Sequence, residues 1–212
     1  MIKSKAAAKL THSPKGVSAD SKSLAAGDTK AETAHGSTLA ESTLPPLAGE
    51  RADLVFISGG QTGADRAALD FAMTAGYAHE GWCPRNRRAE DGVIANCYQL
   101  RETPSRDYLQ RTEWNVRDSD GTLVFSGTAK ATGGTLRTVQ FARAHAKPVL
   151  VLHPGLDPVA AGTQVAEWVH RHGIRRLNVA GTRASKSPGI GAFTQTVLHQ
   201  AFGLPTSRGT QI

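Results

Sequence analysis

Three stretches of the chain combine glycine with hydroxyl, amide and basic side chains in a way that suits the holding of an anion. The first is Ser58-Gly59-Gly60-Gln61-Thr62-Gly63-Ala64-Asp65-Arg66. Glycines let a backbone approach a ligand closely, and the amides and dipole of a helix start favour negative charge. Asp65 works against a bare phosphate there, because an acid in the first turn competes for the same dipole. Its expected use is to accept from a sugar or base hydroxyl, or to cap the helix. The second stretch, Gly133-Gly134-Thr135, is short and draws its weight from facing the first across one sheet edge. The third is Gly181-Thr182-Arg183-Ala184-Ser185-Lys186-Ser187-Pro188-Gly189, where Arg183, Ser185 and Lys186 could meet one phosphate beside a helix start. A fourth segment, Arg85 to Asp91, carries Arg88 among several basic residues able to clamp an anionic tail. The competing explanations are a packing turn for the first stretch and solvated loops for the third and fourth.

Known motifs with these ingredients do not fit. The glycine spacing of the first stretch is not the dinucleotide fingerprint, and Pro84 and Arg85 stand where an acid for the ribose would follow the second strand. The third stretch lacks the Walker spacing. No constellation compels a reaction, so catalytic residues are unknown at this level. Ser58 does not form a nucleophile elbow, which needs a glycine two before and two after the serine, because Phe56 stands two before it. His170 and His172 are two apart on an expected helix and diverge, which disfavours a shared metal. His145 and His153 are isolated, and Glu113, Asp118 and Asp120 read as a mixed-charge helix surface. No metal site is expected.

The elements that must position these stretches follow from the apolar pattern. Leu54-Val55-Phe56-Ile57 is a short continuous apolar run, the mark of a strand buried on both faces. A helix is expected from about Gly63 to Thr74, closed by Gly76, and a weaker strand over Tyr77 to Trp82. Pro84 to Ser105 has no clean period. Tyr108 to about Ser119 reads as a helix with Leu109, Thr112 and Val116 on one face, and Gly121 sits past its end. Thr122 to Phe125 is a strand, Gly133 opens a helix carrying Leu136, Val139 and Ala142, and Pro148 to Leu152 is the next strand. Asp157-Pro158 supplies a cap and first-turn proline for a helix burying Val165, Trp168 and Val169. Leu177 to Ala180 is the final strand, and Ser187-Pro188 repeats the capping device before a helix burying Ile190, Phe193, Val197 and Ala201. Strands alternating with helices imply an α/β fold of Rossmann-like, doubly wound kind. Its mainly parallel sheet has about five or more strands and helices on both faces. In such a sheet ligands bind beyond the carboxyl ends of the strands, where all three glycine stretches fall.

The totals narrow the class. The chain has 212 residues, a net charge of +7 and a pI near 9.7, which favours an anionic partner without choosing between a phosphorylated small molecule and a nucleic acid. Only 6% of residues are aromatic, which leaves little stacking platform for a nucleic acid and ranks that partner last. Cys83 and Cys97 read as free thiols of a reducing compartment. No apolar run approaches the roughly 18 residues of a membrane span, so a soluble, cytoplasmic protein is expected. Residues 1–50 are Ala, Ser, Thr, Lys and Gly without an aromatic, too poor in apolar surface to offset their ordering entropy. They form an expected disordered tail ahead of a ligand-binding domain over 51–212.

These motifs, taken in order, closely resemble the putative molybdenum carrier family, the circularly permuted YpsA-type branch of the SLOG superfamily. The resemblance rests on the Ser58 to Arg66 stretch, on Gly81-Trp82-Cys83-Pro84 leading to Arg87-Arg88-Ala89-Glu90-Asp91-Gly92, and on Gln110 through Gly121. Gly133-Gly134-Thr135 and the segment Leu177 through Ile190 complete it. It implies a Rossmann-like fold, a homo-oligomer, and a nucleotide-like or pterin ligand such as molybdenum cofactor. The wider superfamily includes lysine-decarboxylase-like enzymes that cleave nucleoside monophosphates. Their glutamate, three residues beyond the threonine of Gly-Gly-x-Gly-Thr, is replaced here by Thr138.

The leading expectation is therefore a binding or carrier protein for a phosphorylated ligand, with molybdenum cofactor or a nucleotide as the candidate. Backbone amides around Gly59, Gly60, Gly63, Gly133 and Gly134, with Ser58, Thr62, Thr135 and Ser185, would hold phosphate. Lys186, Arg183, Arg88 and Arg66 would neutralise charge, while Gln61, Asp65 and Asn115 could read the heterocycle or sugar. Second comes a nucleotide hydrolase using Asp65, Glu113 or Glu90 as acid or base, and third a nucleic-acid binder.

Overall fold

The apolar runs become the strands of one parallel sheet, as the computed structural model, which describes residues 53–203, shows. The expected tail over 1–50 lies outside the described residues. Strand β1 (Val55–Ile57) leads through the first glycine stretch into α1 (Ala64–Ala75), which Gly76 closes with φ 75. Then come β2 (Ala78–Glu80), β3 (Trp82–Cys83), a 3-10 turn at Arg85–Arg87, β4 (Arg88–Ala89), β5 (Gly92–Val93) and β6 (Arg101–Glu102). Helix α2 (Tyr108–Arg117), β7 (Gly121–Phe125), α3 (Gly133–Ala144) and β8 (Val149–Leu152) follow. Helix α4 (Pro158–Arg171), β9 (Arg176–Gly181) and α5 (Ile190–Phe202) end the described chain.

The main sheet has the order β2-β1-β9-β7-β8, every pairing parallel. From β1 the chain moves outward to β2, from β7 it moves outward the other way to β8, and β9 returns between them. Helices α1, α4 and α5 pack on one face and α2 with α3 on the other. Alternation along the strands serves both layers. Phe56, Leu123, Phe125, Leu177 and Val179 enter the main core with Phe71, Trp168, Phe193 and Val197. The residues between them, including Ile57, Val124 and Asn178, face the other layer and are equally buried. Burying a large apolar side chain stabilises by about 1.5–3 kcal/mol, so this sheet is a rigid base for its loops.

Three expectations about elements are corrected. The strand expected over Tyr77 to Trp82 breaks at Gly81, whose φ is 147 and where an added Cβ would lie 2.0 Å from the Ser58 carbonyl oxygen. The break sends β3 away from the main sheet to pair with β6. Helix α2 buries Arg111, Asn115 and Val116, while Leu109 is exposed, so its inner face is largely polar. Gly121, past the end of α2 as expected, opens β7, where Ile174 lies 2.5 Å from the position of an added Cβ. Finally, Gly189 precedes α5 and no side chain caps it; Ser187 contributes only its carbonyl, to Ile190. Asp157 does cap α4, accepting from the Ala160 amide at 2.8 Å.

The segment between β3 and α2 forms a second layer with its own small core of Leu69, Cys83, Ala89, Ile94 and Tyr98. Arg87 organises it by donating to the carbonyls of Ile94, Ala95, Tyr98 and Leu100. The hairpin β4–β5 thereby lies against the turn that follows β1.

Candidate functional site

Parallel strands deliver their outgoing loops to one rim, and β1, β9 and β7 are neighbours in the sheet. Their loops, residues 58–63, 182–189 and 126–132, therefore meet. The central loop bonds to both others. Thr182 Oγ1 accepts from the Gly127 amide at 2.8 Å and lies 3.4 Å from Thr135 Oγ1. On the opposite side, the Ala184 amide donates to Thr62 Oγ1 at 3.2 Å. Helices α1 and α3 leave this rim toward opposite faces, which makes it the switch point where open α/β sheets form a crevice.

The first stretch spends most of its chemistry on the fold. Ser58 Oγ donates to the carbonyls of Val179 and Asp65. A Cβ on Gly59 would sit 1.8 Å from an Arg111 nitrogen, on Gly60 2.7 Å from Leu100, and on Gly63 2.5 Å from the Thr182 carbonyl oxygen. Asp65, 2% exposed, accepts from Arg111 at 2.8 Å and from the Gly181 amide at 3.1 Å. Arg66 reaches the Gly60 carbonyl and Asp91. Gln61 accepts from the Thr62 and Glu90 amides, while its buried Nε2 has no partner among the described residues. Asn115 pins β3 as a neighbouring strand would, accepting from the Trp82 amide at 2.7 Å and donating to its carbonyl at 3.0 Å.

Above this turn stands a basic cluster. The guanidinium carbons of Arg88, Arg183 and Arg111 lie 5.2, 5.5 and 5.9 Å from the centre of the Tyr108 ring. Arg111 is neutralised by Asp65, and Arg183 faces Glu90 at 3.7 Å. Arg88 and Lys186 have no ion pair among the described residues. Each cation–π contact is worth about 0.5–1 kcal/mol at an exposed site. Mutual repulsion of like charges a few ångströms apart is of the same order. Planar guanidinium groups can grip an anion with paired hydrogen bonds. Beside it, α3 begins with Gly133 and Gly134 exposed, no atom within 4 Å of an added Cβ on either, and no side-chain cap. Its first amides, which have no partner within the helix, and its dipole favour negative charge there.

A model of the circularly permutated YpsA SLOG family matches residues 56–202, from β1 to the last residue of α5. The chain belongs to that family. The crystal structure of a protein from Syntrophus aciditrophicus SB, called a putative molybdenum carrier protein, is 44% identical. The match covers 69% of this chain and 93% of that one, with a TM-score of 0.68. No curated protein matches.

Within this SLOG domain the structure brings Arg88, Arg183, Ser185, Thr62 and Thr135 to one rim, and gives Ser58, Asp65, Asn115 and the first three glycines supporting contacts beneath it. Tyr108 and Arg111 were not singled out as site residues from sequence. The one available signal was polar: Arg111 and Asn115 are four apart, so they share the inner face of α2. Thr138 returns its hydroxyl to the Gly134 carbonyl at 3.1 Å, an ordinary helix bond. Glu90 is held below the usual carboxylate range: partial burial pushes it up, but hydrogen bonds from Ser185 and Thr62 and the charge of Arg183 outweigh that. Among the described residues no group of three or more His, Cys, Asp or Glu could hold a metal ion, and no helix is long and apolar enough to cross a membrane.

Proposed function

We propose that this protein binds a phosphorylated, nucleotide-like or pterin molecule at the rim above β1, β9 and β7, and serves as its carrier. The observation that carries the reading is the gathering of Arg88, Arg111 and Arg183 around Tyr108, with fewer carboxylates facing them than guanidinium groups. Arg88, Arg183 and Lys186 would neutralise the phosphate. Ser185 and the first amides of α3, from Gly133 to Thr135, would donate to its oxygens. The turn from Ser58 to Arg66 would form the floor, with the Gln61 amide available to a ring. Molybdenum cofactor is the named candidate for the cargo, because the relative from Syntrophus bears the carrier name and because that cofactor ends in a phosphate. Carriage is favoured over catalysis because the two rim carboxylates expected to act as acid or base are engaged: Asp65 is buried on Arg111, and Glu90 is held by two loops. The same reading includes a cytoplasmic homo-oligomer, which light scattering of the purified protein would check.

Native mass spectrometry of protein purified under anaerobic conditions tests the proposal. The expected spectrum contains a phosphorylated pterin or nucleotide that is absent from R88A/R183A. Hydrogen bonds to a charged group are worth roughly 1.5–3 kcal/mol each, so each arginine should account for about 10- to 100-fold in affinity. A bound species that persists in the double variant would overturn the proposal.

A further inference from the structure

The hairpin over the first glycine turn has a chemistry of its own. At its tip, Glu90 Oε1 accepts from Thr62 Oγ1 and, at 3.2 Å, from the Ser185 amide. Its Oε2 accepts from Ser185 Oγ at 2.6 Å and faces Arg183 at 3.7 Å. Two hydroxyls, a backbone amide and a guanidinium, drawn from two loops, are the donors a tetrahedral oxyanion calls for. The tip itself is loosely seated. Ala89 and Ile94 on either side are buried in the second core, but residues 90–93 between them are exposed, Val93 by 77%. Gly92, at φ 120, pairs with Ala89 and has no atom of the described residues within 4 Å of an added Cβ. Polar contacts hold the tip: Glu90 as described, its amide on Gln61, and Asp91 on Arg66. Among the described residues Gln61 Nε2 and Arg66 Nε are buried without a partner, and Gln61 is only 4% exposed. The two side chains that hold the tip, Gln61 and Arg66, thus each keep one donor unused.

We infer that Glu90 is an internal stand-in for the ligand: its carboxylate fills an oxyanion subsite formed by Thr62, Ser185 and Arg183, and a phosphate monoester or free tetrahedral oxyanion displaces it. The inference rests on the anion-binding reading given above. Displacement swings Glu90 and Asp91 outward at the turn while Ala89 and Ile94 stay anchored and the pairing of Ala89 with Gly92 holds, and it opens Gln61 Nε2 to the incoming group. Glu90 thereby sets a threshold: weakly charged molecules do not compete with it, and a dianion does.

Calorimetric titration of the full chain with inorganic phosphate and, separately, with adenosine monophosphate tests this in wild type, E90Q, E90A and R183A. One unit charge removed from about 4 Å in water-like surroundings changes affinity by about fivefold per charge on the anion. Both Glu90 variants should therefore bind at least one probe about fivefold or more tighter than wild type. The probe with the larger gain tells ester from free oxyanion, and E90Q guards against misfolding of E90A. If both variants bind no tighter than wild type while R183A binds more weakly, the stand-in role is overturned and the rim reading survives. If no protein in the set binds either probe, both fall.

Discussion

Replacing Arg111 with methionine removes the partner of a carboxylate that has almost no solvent. Asp65 is 2% exposed, and its two oxygens are committed to Arg111 at 2.8 Å and to the Gly181 amide at 3.1 Å. Breaking a buried pair from one side leaves an uncompensated charge and costs about 3–5 kcal/mol. Against a total stability of roughly 5–15 kcal/mol this is a large share. For a domain of this size each kcal/mol moves the midpoint by about 2–4 °C, so R111M should melt some 6–20 °C below wild type. Urea unfolding at pH 7 gives the same quantity independently through the shift in midpoint at unchanged slope. The double variant D65N/R111M removes both charges and keeps an acceptor for Gly181. It should be more stable than R111M alone, and the cycle should show coupling at the upper end of the roughly 0.5–3 kcal/mol found for contacting residues. A loss below about 1 kcal/mol for R111M would refute the reasoning, because it would mean that water reaches Asp65 or that the pair does not form.

Other consequences follow from the same contacts. G81A forces a side chain to within 2.0 Å of the Ser58 carbonyl oxygen. It should destabilise by more than the roughly 1–3 kcal/mol of backbone strain alone, measured by urea unfolding. Asp118 is held below the usual carboxylate range by its hydrogen bond to Arg117, helped by Trp82 and the charges of Arg117 and Arg101 against a desolvation effect that raises it. A depressed folded pKa contributes stability that is complete above the unfolded value near 3.9 and is lost as pH falls through the folded one. The stability gap between wild type and D118N should thus be full at pH 7 and close below about pH 4 in thermal scans. Cys97 is exposed and Cys83 buried, with burial pushing the Cys83 thiol up. Iodoacetamide should label Cys97 alone in the native protein, and both cysteines after unfolding.

The strands that define the fold were legible because a strand buried on both faces must be largely apolar. Leu54 to Ile57 and Leu123 to Phe125 satisfy that with no reference to distant residues. The break at Gly81 was not legible, since its cause is the approach of the Ser58 carbonyl, more than twenty residues away. The layer from Pro84 to Ser105 escaped for a related reason. It is organised by one side chain, Arg87, bonding to four carbonyls, and such scaffolding leaves no period in the sequence. On α2 the apolar pattern pointed to Leu109 as an inner residue, but the helix turns Arg111 and Asn115 inward to serve Asp65 and Trp82. The three glycine stretches could be placed at one rim from topology alone. That Arg88 and Arg183 meet over Tyr108 could not, because the three positions come from separate segments that share only the fold.

The central claim, that an anion is held where the loops after β1, β9 and β7 meet, is tested most directly by following backbone amide resonances of the labelled protein during titration with a nucleoside monophosphate. The account predicts saturable shifts concentrated at Gly60, Gly127, Gly134 and Ser185, with smaller effects around Glu90. Saturable shifts confined to the opposite end of the strands, or to the surface around Trp114 and Arg117, would contradict it.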